Sequence, residues 1–158
     1  MRVAGALPDE LMEASLAARV ALNDAPTEDL DIEDEIPTPE RVRAYEHAHE
    51  VRGMRIYQVL AIHRETGAGA GHTIVAVDRE RGMAAQHDTS VVPAHRGHRL
   101  GLALKAEMLR LLAADEPELG YIDTFNAQSN EHMVAVNDAL GFVAMGRELS
   151  FQRTLTAS

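Results

Sequence analysis

The residues best placed to do chemistry form a short basic turn, Ala94-His95-Arg96-Gly97-His98-Arg99. A β-type run, Thr89-Ser90-Val91-Val92, stops before it at Pro93, and an apolar-periodic stretch opens after it at Leu100. A strand, a glycine-bearing turn and a helix start, in that order, make a place to hold phosphate. The turn's N–H groups and the unsatisfied N–H groups of the helix face one point, and the helix dipole favours negative charge there. Arg96, His98 and Arg99 would add side-chain charge. Gly67, Gly69 and Gly71 form a second glycine cluster, but no Lys-Ser/Thr pair and no helix follow them, so they read as a hairpin connection.

The elements that must carry this turn follow from periodicity. Segments 54–63, 72–78 and 83–92 are β-rich with short connections, which predicts an antiparallel meander ending at Pro93. A helix follows over 100–114, with Leu100, Leu104, Met108, Leu111 and Leu112 inward and Lys105 and Arg110 outward. A strand over 121–126 comes after that helix and so runs parallel to the third strand. A helix over 130–140, capped by Asn130, turns Met133, Val136 and Leu140 inward. Two last strands are predicted over 142–145 and 148–154. Upstream, 1–7 is a weak strand, and a helix runs from Pro8-Asp9 to about Asn23. Thr38-Pro39-Glu40 starts another helix that ends near Gly53. His47 and His49 lie two apart, point to different faces of it and read as surface residues.

Composition narrows the function. With 158 residues the chain reads as one domain, 1–158. A formal net charge of −10 argues against a nucleic-acid partner and makes a local basic turn more telling. There is no cysteine, hence no disulfide framework, thiolate metal site or cysteine nucleophile. No His-x-x-x-His or His-Glu-x-x-His spacing occurs, so no metal site is expected. No stretch has the length of a membrane span and no secretory signal is visible, so a cytoplasmic protein without a membrane partner is expected. Segment 24–35 carries seven carboxylates and no base. It reads as a solvated loop, with Leu30 and Ile32 tucked inward, or as an acidic approach that attracts a cationic substrate.

The order of elements, the V-x-P-x-x-R-G-x-x-x-G run starting at Val91 and the N-x-x-M-x-x-x-N-x-x-L-G-F run starting at Asn130 identify a family. The chain resembles the GCN5-related N-acetyltransferases, the GNAT superfamily, most strongly over 86–142. The versions HRGHRLG and TFNAQSNEHMVAVNDALGF look most like the C-terminal half of tandem GNAT proteins. The chain is accordingly a lone domain or one half of a tandem arrangement. The resemblance implies an α/β (α+β) fold: a mixed, mostly antiparallel sheet with about four helices and a V-shaped splay between two parallel strands.

It also implies acetyl-CoA as co-substrate and an amine acceptor, with a homodimer or a second GNAT domain as possible partner. The pantetheine arm would pair with backbone of Ser90, Val91 and Val92 in the splay, and the Val91 N–H would polarise the thioester carbonyl. The pyrophosphate would sit over Arg96, Gly97, His98, Arg99, Leu100 and Gly101, with Arg99 where the family's middle glycine stands. Asn130 matches an asparagine that contacts the cofactor arm. An alkylammonium must lose a proton before it attacks, and Asp88 and His87 are the candidate general bases, with Gln86 through a water. Strand alternation puts His87 and Asp88 on opposite faces, so only one meets the substrate, and Asp88 is preferred. Asn137 stands where the family has a tyrosine acid, and it cannot act as a Brønsted acid; water, Tyr45 or Tyr57 would take that part, or the thiolate would leave unaided. That substitution motivates a second reading, a non-catalytic acyl-CoA-binding or regulatory domain.

Overall fold

The computed structural model describes residues 1–27 and 30–153. One sheet holds β1 (Arg2–Ala4), β2 (Arg55–Ile62), β3 (Gly69–Asp78), β4 (Met83–Val91) and β5 (Tyr121–Thr124), in that spatial order. The first four are antiparallel neighbours, and β5 lies parallel to β4. The helices are α1 (Met12–Val20), α2 (Pro39–Val51), α3 (Leu100–Asp115) and α4 (Glu131–Ala139). This is the mixed sheet, meander and parallel crossover expected of a GNAT α/β fold.

Local chemistry sets the helix starts. Thr38 accepts the Arg41 N–H at 3.3 Å with Pro39 at the first helical position of α2. Asn130 accepts the Met133 N–H at 3.1 Å and caps α4.

Strand alternation sorts the core into two layers. On one side Tyr57, Val59, Val75, Val77 and Ala84 pack against Leu104, Met108, Leu111 and Leu112 of α3. On the other side Leu60 packs with Val3, Leu7, Met12 and Val42, which brings α1 and α2 onto the sheet. Each such side chain removed from water contributes about 1.5–3 kcal/mol. The Tyr57 hydroxyl donates to Glu116 at 2.5 Å, and Arg79 holds the same carboxylate with two N–H groups at 2.7 and 2.8 Å. This fixes the far end of α3.

Two glycines of the second cluster lie inside β3 rather than in a loop. A Cβ on Gly69 would stand 2.1 Å from the Ala14 carbonyl oxygen, and one on Gly71 would stand 2.6 Å from that of Ser90. Their role is to let α1 and β4 approach closely.

Four expectations fail. No strand forms over 142–153 (Thr154 lies outside the described residues), and Val143, Met145, Leu149 and Phe151 are exposed. That run pairs with neither β5 nor itself, so its alternation finds no ladder. Ile32 is exposed rather than tucked in. His49 is buried, because α2 turns it toward β4. Lys105 is also buried, at 2% exposure, because α4 covers the flank of α3 that the apolar stripe leaves polar.

Candidate functional site

The parallel pairing of β4 with β5 runs from Met83↔Tyr121 to Gln86↔Thr124 and stops, while β4 continues to Val91. Residues 87–91 therefore keep β3 on one side and an open edge on the other. Val92 donates its N–H to the Ala70 carbonyl at 2.9 Å. By antiparallel alternation Val91 turns its own N–H away from β3, into the gap. Val92 is thus committed to the sheet, whereas Val91 is free to act on something in the gap. Ser90 points to the α1 layer, where its hydroxyl donates to the Ala18 carbonyl.

The chain then makes a 3-10 turn over Pro93–His95 and reaches α3 through Gly97 at φ 80° and Arg99 at φ 57°. Arg99 is the one non-glycine residue with positive φ among those described. The left-handed region costs a residue with a Cβ about 1–2 kcal/mol. The first amide of α3 to find a carbonyl is that of Ala103, on Arg99 at 3.1 Å. Among the described residues no acceptor meets the amides of 97–102, including those of Gly97, His98, Leu100 and Gly101. Consecutive open amides beside a helix N-terminus form an anion cradle, and these residues fit the diphosphate of a coenzyme. A Cβ on Gly101 would meet nothing within 4 Å, so there is room above it.

The basic side chains divide. Arg96 is drawn away from the cradle, with its guanidinium 2.5 Å from Asp24 and its Nε–H on the Val91 carbonyl at 3.0 Å. The His98 Nδ1 is 2.8 Å from the Arg96 carbonyl oxygen. Arg99 has no ion-pair partner among the described residues and borders a cleft of about 570 Å³ between α3 and β2.

The two candidate proton acceptors, His87 and Asp88, converge through an irregularity the sequence does not announce. Thr73 pairs with Thr89 and Val75 with Gln86, so Ile74 alone faces both His87 and Asp88. This is a β-bulge. It cancels the alternation and turns both residues to the α1–α2 layer. The His87 ring stands edge-on to Tyr45 and His49 of α2, with centroids 5.8 and 5.3 Å apart. Asp88 faces Arg19 of α1, whose Nη1 is 3.9 Å from its carboxylate. The expectation that only one of the pair could face this side is thereby corrected. Gln86 points to the opposite layer and clamps the bulge. Its amide donates to Thr73 Oγ1 at 2.9 Å, to the Ile74 carbonyl at 2.7 Å and to the Asp88 carbonyl at 3.2 Å.

Burial raises the Asp88 pKa above the ordinary carboxylate value, Arg19 and His87 oppose the rise, and Glu35 adds to it. Burial lowers that of His87, aided by His49 and opposed by Asp88. The first shift makes the Asp88 carboxylate a stronger proton acceptor than an exposed one, and the second favours the neutral His87 ring. His72, fully buried on β3, is held neutral with a pKa of about 3 by burial and by Arg19. Arg19 Nη2, the Tyr45 hydroxyl and both His72 ring nitrogens are buried with no hydrogen-bond partner among the described residues.

On the other layer, Asn137 of α4 is buried and accepts from the Lys105 ammonium at 2.5 Å. Asn130 spends its side-chain oxygen on the α4 cap. Sequence reading missed Arg19 and His72, took His49 for a surface residue and Lys105 for an outward one, and offered Tyr45 only as a stand-in acid. Only His72 left a signal, since it shares strand parity with Ile74 and Ala76. Among the described residues no cluster of three metal-binding side chains occurs, and no helix is long and apolar enough to cross a membrane.

No protein-family model matches the sequence, and no curated protein matches it. Among solved structures the chain is similar to a tandem GNAT protein from the clavulanic acid biosynthesis pathway, with 35% identity and a TM-score of 0.69 over 89% of this chain. The chain spans 40% of that protein's length. It is also similar to an N-acetyltransferase from Staphylococcus aureus Mu50, with 14% identity and a TM-score of 0.67 over 92% of this chain and 86% of that one. A ribosomal-protein-alanine N-acetyltransferase from Brucella melitensis has 19% identity and a TM-score of 0.65 over 91% and 86%. The last two likenesses are of fold.

Proposed function

Because the chain belongs to the GCN5-related N-acetyltransferase superfamily, we propose that it moves an acetyl group from acetyl-CoA to the nitrogen of a small cationic amine, by direct attack on the thioester. The observation that carries this reading is the open edge of β4. Its Val91 N–H points into the gap beside a cradle of free amides, and His87 and Asp88 stand one bulge away. The thioester supplies the activated acetyl group. The amides of 97–102 hold the diphosphate, and the Val91 N–H donates to the carbonyl oxygen as negative charge grows there. Asp88 takes the proton from the entering ammonium, and His87 is the alternative acceptor. The exposed carboxylates Asp31, Glu33 and Asp34 lie on the segment that joins α1 to α2 and favour a cationic acceptor. Glu28 and Asp29 lie outside the described residues.

In this reading residues 1–158 are a single catalytic domain, and the protein works in the cytoplasm. The open outer edge of β5, with Tyr121 and Phe125 exposed beside it, pairs with a second domain of the same fold, either another copy or a tandem half.

Calorimetric titration with acetyl-CoA and thiol release across a panel of amines test the assignment. The chain has no cysteine, so every thiol detected is coenzyme. The expected result is binding, turnover of at least one small amine, and a roughly 100-fold lower kcat in Asp88→Asn with binding retained. Binding with no turnover on any amine would favour the non-catalytic reading that Asn137 motivates. No binding overturns both.

A further inference from the structure

We propose that Lys105 is the acid that protonates the departing thiolate, a role that rests on the acetyl-transfer reading above. Lys105 is 2% exposed, and among the described residues its ammonium has one hydrogen bond, to Asn137 Oδ1 at 2.5 Å. The Phe142 ring centroid lies 4.7 Å away. No ion pair to Lys105 occurs among the described residues. An unpaired buried cation is costly, so an anion brought beside it would be strongly stabilised.

The position says which anion. Lys105 follows Leu104, which packs in one cluster with Val91, the residue whose N–H enters the gap. Its own ammonium reaches Asn137 of α4, the helix that follows β5 after β5 has parted from β4. The diphosphate cradle lies at the start of the same helix, five residues or about 7.5 Å before it. His87 and Asp88 lie on the opposite layer. Proton acceptor and proton donor therefore approach the thioester carbonyl from the two sides of β4.

The acidity also suits the task. Burial lowers the Lys105 pKa to about 8, and no charged side chain from α4, β2, β3 or β4 acts on it. Tyr57 and Glu116, titratable groups of the same layer, are bonded to each other at the other end of α3. An acid near 8 matches a thiol of about 8.5. The step balances as follows. The amine nitrogen bonds to the carbonyl carbon, the C–S bond breaks with its electron pair on sulfur, and that sulfur takes a proton from Lys105 Nζ. The ammonium loses two protons, one before attack and one as the amide forms, and both pass through Asp88 or His87 to water, while Lys105 regains one from solvent. The products are the amide, the coenzyme thiol and one proton.

A direct test needs no turnover. Free CoA is bound to the full chain and its thiolate is followed by ultraviolet absorbance against pH, in wild type, Lys105→Gln and Lys105→Met. The Lys105 ammonium should lower the thiol pKa of bound CoA below that of free CoA, and both variants should lose the shift. With acetyl-CoA and a productive amine, the wild-type kcat should fall on the alkaline side with a midpoint near 8. In the variants kcat should drop about 100-fold with binding unchanged and that alkaline limb gone. CoA that binds with the same thiol pKa as in free solution overturns the proposal and spares the acetyl-transfer reading. CoA that does not bind overturns both. Should the variants fail to fold, the wild-type thiol titration alone decides.

Discussion

Lys105 and Arg99 both occupy positions that are costly for their residue type. Lys105 ionises at about 8 in the folded chain against 10.5 when exposed. Between those values the unfolded chain binds a proton that the folded one does not, so stability rises with pH by up to about 1.4 kcal/mol per unit. Below pH 8 the whole penalty is present. Lys105→Met should unfold at higher urea than wild type at pH 7 and show no rise between pH 8 and 10. Arg99 sits at φ 57°, where glycine is at ease. Arg99→Gly should raise unfolding free energy by about 1 kcal/mol. It should also weaken acetyl-CoA binding and flatten its salt dependence, because the charge leaves while the amides stay. The sequence showed the glycine-like demand at 99 only through the family pattern. It misplaced Lys105 because an apolar stripe reports one covered face, whereas α3 is covered on two. Only the placement of α4 reveals the second.

Among the elements, three meander strands, the crossover and all four helices were legible from period and capping, because each is fixed by nearby residues. The bulge in β4 was not. His87 and Asp88 look like ordinary strand positions, and the extra residue exists only relative to the partner β3. The close approach of α1 to β3 was equally hidden, since Gly69 reads as a turn residue until Ala14 is seen above it. Gly69→Ala cannot be accommodated by a side-chain shift, because the obstructing atoms are backbone. We expect α1 to lift, with a loss of about 2 kcal/mol or more in thermal or urea unfolding. Activity should drop beyond what stability explains, because Arg19 rides on α1 and faces Asp88. The last two predicted strands failed for the opposite reason: 142–153 has the alternation of a strand but no ladder partner among the described residues.

At the scale of the whole molecule, charge and architecture work together. The net charge of −10 includes an acidic segment that borders the α1–α2 layer. Asp31→Asn, Glu33→Gln and Asp34→Asn together should raise KM for a cationic amine several-fold at low salt and leave KM for acetyl-CoA unchanged. Equal rises in both would point to general destabilisation. The open β5 edge and the exposed Met145 and Phe151 should give a solution mass above the 17.2 kDa monomer. Met145→Asp with Phe151→Asp should return it to the monomer value. The sheet that separates α1 and α2 from α3 also has a kinetic meaning. In the proposed reading amine and coenzyme reach the carbonyl by different doors, so neither has to leave before the other enters. Initial-rate lines at several fixed amine concentrations should intersect, and free CoA should not compete with the amine. Parallel lines would require an acetylated enzyme, for which this cysteine-free chain offers no thiol.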